Sequence, residues 1–206
     1  MMNFLSQTKN FFEHLDRNVF FLSLAQIFSM TSMNINIITT GLAGFIIAPY
    51  GWLSTFPLSL QFIITMLFTF PCSILMSKYG RKIVFVGGVL SVSTGGLIMT
   101  IALFQKNFYL FCFGSVLLGL GHATNLFYRY AATETVPKNV KPKAMSLVLS
   151  AGLIAALLGP RIYQISADAI LPHLYAGSYL MIAITQLIAL PFIMRLKIPL
   201  PPRSKI

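Results

Sequence analysis

Polar side chains inside long apolar runs are the residues of this sequence most able to do chemistry, because each costs free energy in lipid unless it is paired or hydrated. In one run, residues spaced by three and four share a helix face: Ser115, Leu118, His122, Asn125 and Arg129. Such a face lines a water-filled pathway or a helix interface. His122 could exchange a proton, since an unperturbed imidazole has a pKa of about 6.5, or be a neutral ring bonded to a neighbouring helix. Arg129 could equally snorkel to lipid headgroups.

A second polar set lies in the first apolar run, which contains the amides Gln26, Asn34 and Asn36. Asn34 and Asn36 are separated by about 200° around a helix axis, so they cannot both face one cavity. We expect Asn34, near the middle of the bilayer, to face the pathway. Interhelical hydrogen bonding is the alternative use for each amide.

Patterns typical of enzymes and metal sites are missing from the sequence. Its four carboxylates, none of them predicted near mid-membrane, are Glu13, Asp16, Glu134 and Asp168. The two cysteines have no metal-ligand spacing. There is no phosphate-binding loop, and no nucleophile with a base and an orienting partner. The sequence therefore predicts no enzyme, no cofactor and no metal site.

The composition is that of a lipid-embedded protein. The 206 residues are 56% hydrophobic and 9% charged, against roughly 25% charged in a soluble domain. The net charge of +11 does not indicate nucleic-acid binding, because the cations stand in small clusters between apolar runs and form no continuous basic face. We expect the lipid bilayer to be the partner, and no nucleic acid.

Six apolar runs are each long enough to cross a bilayer, which takes about 20 helical residues. The sequence therefore predicts an all-α polytopic membrane protein with six transmembrane helices in one bundle. The predicted spans are 19–48, 52–76, 83–104, 108–130, 144–167 and 175–194. Residues 1–18 are predicted to form an amphipathic segment on the cytoplasmic surface, and residues 195–206 a cytoplasmic tail or the start of a linker.

The distribution of Lys and Arg predicts the orientation of these helices. With both termini in the cytoplasm, only Lys106 and Arg161 lie outside, in agreement with the positive-inside rule. We therefore expect a multi-pass protein of a bacterial inner membrane.

The fifth run contains a helix breaker flanked by small residues. Gly152, Gly159 and Pro160 lie in it, and proline removes a backbone donor and clashes with the preceding turn. The pattern predicts a packing kink, a bending point for a gate, or both.

A short basic loop, residues 77–82, joins the second and third runs. Its sequence is Ser77-Lys78-Tyr79-Gly80-Arg81-Lys82. A connection this short makes the two helices antiparallel neighbours. Its three cations are predicted to lie where lipid headgroups meet the cytoplasm.

The basic loop resembles the signature between helices two and three of the major facilitator superfamily, Gly-x-x-x-Asp-Arg-x-Gly-Arg-Arg/Lys. Three positions match it, Gly80, Arg81 and Lys82, and Lys78 is a basic substitute. A serine replaces the first glycine. Ser77 replaces the aspartate, a carboxylate that helps to latch the cytoplasmic side in that family.

Two further stretches are similar to the same family. The residues Gly152, Gly159 and Pro160 resemble the glycine-proline motif of helix five in its antiporters, and Arg129 is similar to its helix-four arginine. The resemblance implies a carrier built from two six-helix bundles that rock between outward-open and inward-open states. This chain would supply the first bundle, and its partner would be a second six-helix half or a second copy in a homodimer.

These observations predict a secondary active transporter, or its N-terminal half, that moves a small solute by alternating access. The first and fourth spans would line the pathway, the basic loop would act as the cytoplasmic gate, and His122 is the residue through which protons could be coupled. The alternative is a non-transporting membrane remnant, or a scaffold half-bundle that binds partner helices. It is motivated by the missing second half and by the loss of the aspartate at Ser77.

Overall fold

The computed structural model describes residues 17–198, and every regular element in that range is helical. The α-helices are α1 (Arg17–Ile47), α2 (Phe56–Tyr79), α3 (Arg81–Gln105), α4 (Phe108–Asn125), α5 (Tyr128–Glu134), α6 (Lys141–Ser166) and α7 (Ala176–Met194). Within these residues, 6 segments are long and apolar enough to cross a membrane, and α4 with α5 forms one of them. The predicted all-α fold with six spans is confirmed.

Several helix boundaries differ from the ranges predicted from the sequence. Helix α2 begins at Phe56, and Pro57 lies in its first turn, where a missing backbone N–H is tolerated. The fourth span is interrupted after Asn125, because the next two residues form a turn before α5. The predicted N-terminal amphipathic segment falls almost wholly on residues 1–16, and most of the predicted tail on residues 199–206, which lie outside the described residues.

The basic loop is shorter than the sequence suggests, because both flanking helices extend into it. Helix α2 continues to Tyr79 and α3 begins at Arg81, so that Gly80 alone separates them. The φ angle of Gly80 is 86°, in the region that residues with a Cβ rarely adopt. A glycine at this position therefore allows the abrupt reversal between the two helices.

The helices pack side by side in the order α2, α4, α3, α7, α1, α6. Helices α1 and α4 also contact each other, so α2 and α6 flank this central pair while α3 and α7 lie behind it. The end of the bundle that holds the start of α1 and the basic loop is called the basic end below. Helix α5 packs against α6 at that end.

Small residues bring α3 and α4 into close contact. A Cβ at Gly121 would lie 2.4 Å from the backbone oxygen of Gly88, and one at Gly88 would lie 2.2 Å from Oγ1 of Thr124. Only glycine fits at both positions, as is common where helices approach closely in lipid. Because Gly121 faces α3, the next residue, His122, points to a different neighbour.

Candidate functional site

Five buried polar side chains from four helices form one continuous hydrogen-bonded chain, named here the His122 chain. Its members are Tyr179 of α7, Thr40 and Asn36 of α1, Gln61 of α2 and His122 of α4, and each is at most 2% exposed. The hydroxyls of Tyr179 and Thr40 are 2.9 Å apart, and Thr40 donates to Asn36 Oδ1 at 2.9 Å. Asn36 Nδ2 donates to Gln61 Oε1 at 2.6 Å, and Gln61 Nε2 lies 3.0 Å from His122 Nδ1.

Local packing explains why Gln61 reaches His122. A Cβ at Gly119 would lie 2.6 Å from the backbone oxygen of Gln61, so glycine permits a close α2–α4 contact here. One turn along α2, Thr65 Oγ1 donates to the backbone oxygen of Gly119 at 3.0 Å. Asn36 and Thr40 are four residues apart and therefore stack on one face of α1. These contacts align the polar side chains of three helices at one depth.

Several residues predicted from the sequence carry a buried polar atom that has no hydrogen-bond partner within residues 17–198. They include Gln26 Oε1, His122 Nε2, Asn125 Nδ2 and Arg129 Nε. Buried polar atoms without a partner are rare in folded proteins, and each needs an explanation. Three of these atoms, on His122, Asn125 and Arg129, belong to the α4–α5 segment, and we call these three residues the donor face. The hydroxyl of Tyr128, in the same segment, is also buried without a partner in the described residues.

The other amide predicted to face the pathway, Asn34, lies at the contact between α1 and α6. Its Nδ2 donates to the backbone oxygen of Ala155 at 3.1 Å. A Cβ at Gly159 would lie 2.6 Å from Asn34 Cβ, so glycine allows the two helices to meet there. The His122 chain instead uses Asn36, on the other side of α1. A pathway role for Asn34 stays a prediction.

The predicted bending point of the fifth span lies within one continuous helix. Helix α6 runs through Pro160 from Lys141 to Ser166. Gly159 is buried against Asn34, whereas a Cβ at Gly152 would meet open space. The role of these residues in bending stays a prediction.

The basic loop is tied to the end of α5 by a two-pronged ion pair. Arg81 Nε donates to Glu134 Oε2 at 2.6 Å, and Arg81 Nη2 donates to the other carboxylate oxygen. Ser77 Oγ donates within its own helix, to the backbone oxygen of Ile74 at 2.8 Å. Lys78 and Lys82 are exposed. The carboxylate that pairs with the loop arginine therefore comes from α5.

A cavity of about 160 Å³ lies beside this ion pair at the basic end. It is lined by Ser73, Met76, Ser77, Arg81, Phe127 and Glu134. Because Phe127 lies in the turn between α4 and α5, the interruption of the fourth span forms part of the cavity wall.

Three members of the His122 chain and one ion-pair partner were not predicted from the sequence: Gln61, Thr40, Tyr179 and Glu134. Gln61 could have been predicted, because it is an amide in the middle of an apolar run. Gln26 and Asn34 were selected by the same criterion. Thr40 and Tyr179 could not have been predicted, because hydroxyl side chains are common in membrane helices and usually bond to their own backbone.

Comparison with known proteins gives two matches. The family model for the Major Facilitator Superfamily matches residues 10–206. The chain is 33% identical over 183 residues to the riboflavin transporter RfnT of Brucella anthropi, an alignment that covers 89% of this chain and 46% of that protein. The chain thus spans about half the length of the curated relative it matches. No solved structure matches the chain.

Proposed function

Since this chain belongs to the Major Facilitator Superfamily, we propose that it is a secondary active transporter, or one six-helix half of one, that moves a small solute by alternating access. The observation that carries the proposal is the donor face, whose buried polar atoms have no hydrogen-bond partner within residues 17–198. An apolar bundle that served only as a scaffold would gain nothing from leaving these atoms unpaired, because each raises the free energy of the folded state.

The proposed solute is riboflavin or a compound with a similar ring. This choice rests on the relative from Brucella anthropi, which is named a riboflavin transporter. A flavin ring also suits the candidate site in chemical terms, because its carbonyl oxygens accept hydrogen bonds and its faces are apolar.

The basic end would control access from the cytoplasm in this proposal. The Arg81–Glu134 pair joins the start of α3 to the end of α5, and α5 packs against α6. Opening of the cytoplasmic side would require these elements to separate, so the ion pair would stabilise the state in which they are together. Ser77 contributes no charge to this contact, and Gly80 would allow α2 and α3 to move as one hairpin.

Helix α6 would take part in the same motion through its contact with α1. The Asn34 amide bonds to the α6 backbone next to Gly159 and Pro160. A helix that lacks one backbone hydrogen bond at a proline bends there most easily. We expect bending at this point to shift α6 relative to the donor face.

The apolar surfaces of α2 and α6 favour a partner bundle. Met66 and Phe70 on α2 are 70% and 74% exposed, and Leu153 and Leu157 on α6 are 72% and 76% exposed. Because these two helices flank α1 and α4, a second six-helix half or a second copy placed against them would cover the central pair. The same surfaces favour the alternative of a non-transporting scaffold that binds partner helices.

Uptake of radiolabelled riboflavin into proteoliposomes tests the proposal. The purified chain is compared with a fusion of the chain to the second half of the Brucella anthropi relative, because either form could be the working unit. His173→Ala is the matched control, since this histidine lies between α6 and α7, away from the donor face. We expect saturable uptake by at least one form, with competition by unlabelled riboflavin. Absence of saturable uptake in both forms would contradict the transporter proposal and favour the scaffold.

A further inference from the structure

The hydrogen bonds of the His122 chain run in one direction. Thr40 donates to Asn36 Oδ1, so its oxygen must accept from the Tyr179 hydroxyl. Asn36 uses its Nδ2 to donate to Gln61 Oε1, which leaves the Nε2 amide hydrogens of Gln61 facing His122. His122 Nδ1 can then only accept. A neutral imidazole in this position carries its hydrogen on Nε2.

The opposite direction would satisfy fewer groups. If both amides turned over, Asn36 would donate to Thr40 and Thr40 to Tyr179. The Tyr179 hydrogen would then need another acceptor, yet this hydroxyl is fully buried and has no second partner in residues 17–198. His122 Nε2 would be an unpaired acceptor as well. Within residues 17–198, the observed direction leaves one end of the chain unpaired, the Nε2–H group of His122.

The Nε2–H group of His122 is one of three buried hydrogen-bond donors on the donor face. On the donor face the atoms without a partner in the described residues are His122 Nε2–H, Asn125 Nδ2 and Arg129 Nε. Amide and guanidinium nitrogens only donate. All three groups therefore require acceptors.

We propose that Gln61 is a positioning residue that holds His122 as an Nε2–H donor, and that the donor face selects solutes which present carbonyl oxygens. The solute class that fits these donors is a neutral compound whose carbonyl oxygens accept hydrogen bonds. This inference rests on the proposed function and gives His122 the role of a hydrogen-bond donor to the solute.

The tautomer of His122 can be measured without any transport assay. The chain is labelled with ¹⁵N-histidine and reconstituted in bilayers for solid-state NMR, and the His122 signals are assigned by their loss in His122→Ala. We expect an unprotonated Nδ1 and a protonated Nε2. A protonated Nδ1 with an unprotonated Nε2 in the wild type would overturn the inference, whether or not riboflavin is transported.

Substitutions at Gln61 test its positioning role. Gln61→Glu places a carboxylate opposite Nδ1 and should move the imidazole hydrogen from Nε2 to Nδ1. Because a buried carboxylate can prevent folding, Gln61→Leu is the second variant, and it should leave His122 as a mixture of tautomers. An unchanged Nε2–H tautomer in Gln61→Leu would show that Gln61 does not set it.

Selection by the solute carbonyls is tested with riboflavin and its 2-thio and 4-thio analogues, whose sulfur is a weaker hydrogen-bond acceptor. We expect wild-type uptake to prefer riboflavin over at least one analogue by about fivefold or more, in line with the loss of one good hydrogen bond. Gln61→Leu should reduce this preference, and His173→Ala should keep it. Equal uptake of all three by the wild type would overturn the selection. Absence of any uptake would count against the proposed function, and the NMR result would still decide the tautomer.

Discussion

Two buried polar clusters in the same bundle differ in whether all their polar atoms have hydrogen-bond partners. This difference distinguishes a candidate solute site from a structural contact. The His122 chain crosses four helices and ends on an atom that has no partner in the part of the protein that the structure describes. A second group, the Gln186 cluster of Ser29, Ser32 and Gln186, joins α1 and α7. Gln186 Nε2 donates to Ser32 Oγ at 2.8 Å, and Ser29 Oγ donates to Gln186 Oε1 at 3.4 Å.

The Gln186 cluster is closed, because both polar atoms of its amide have partners among its own members. Such a cluster holds helices together in lipid. The His122 chain also contains hydroxyl and amide side chains, but it ends on a histidine whose Nε2 has no partner in the described residues, and this end lies on the donor face. Polar residues in a membrane span are thus informative about function only once their partners are known. The following predictions test this contrast from the largest expected effect to the smallest.

Removal of the His122 imidazole, the end of the His122 chain, should impair transport more than folding. In His122→Ala, the solute loses one hydrogen bond and Gln61 Nε2 loses its acceptor. A buried hydrogen bond left unmade costs about 1–3 kcal/mol, so we expect riboflavin uptake to fall by about 5- to 150-fold. Uptake per folded molecule is compared with His173→Ala. Equal losses of thermal stability and uptake would instead mark His122 as a structural residue.

Disruption of the Gln186 cluster should lower stability and leave transport almost unchanged. In Gln186→Leu, Ser29 and Ser32 lose their side-chain partner, and Ser32 keeps its bond to the backbone oxygen of Ser29. We therefore expect a loss of about 0.6–2 kcal/mol in stability. Uptake per folded molecule should stay within about twofold, because no group on the donor face changes. Thermal unfolding in detergent measures the first effect. A folded Gln186→Leu variant that no longer transports would contradict the structural role of the Gln186 cluster.

The ion pair at the basic end should have a smaller, salt-dependent effect. The side chains of Arg81 and Glu134 are 18% and 45% exposed, so their pair contributes no more than about 1 kcal/mol. Glu134→Gln should change the uptake rate a few-fold, and less so at high salt, because ions screen exposed charges. Lys82→Gln, an exposed cation of the same loop, is the control. If both variants match the wild type at every salt concentration, the proposed gate is contradicted.

The smallest effect is expected at the contact between α1 and α6. Asn34→Ala removes one interhelical hydrogen bond, which in membrane proteins contributes about 0.6 kcal/mol on average. The sequence-based prediction requires uptake to fall more than stability does. Uptake and thermal unfolding measured on the same preparation decide it. A change in stability alone would limit Asn34 to packing.

The all-α fold with six spans followed from the sequence, because the length of an apolar run depends on the bilayer and not on tertiary contacts. The interruption at Leu126 and Phe127 did not follow, since neither residue is a helix breaker.

The site was only partly accessible from the sequence. His122 and Asn125 were selected because they are polar at membrane depth, but the direction in which each helix faces depends on its neighbours. The choice between Asn34 and Asn36 illustrates this, because polar residues occur on several sides of α1. Their partners, Ala155 and Gln61, became evident only when α6 and α2 were in place.

Binding of riboflavin to the chain in lipid nanodiscs, followed by quenching of flavin fluorescence, tests the central claim most directly. The account predicts that His122→Ala weakens binding by about fivefold or more, whereas Gln186→Leu binds within about twofold of the wild type. Equal binding by all three proteins, or equal weakening by both substitutions, would show that the His122 imidazole, the end of the His122 chain, is not the solute site.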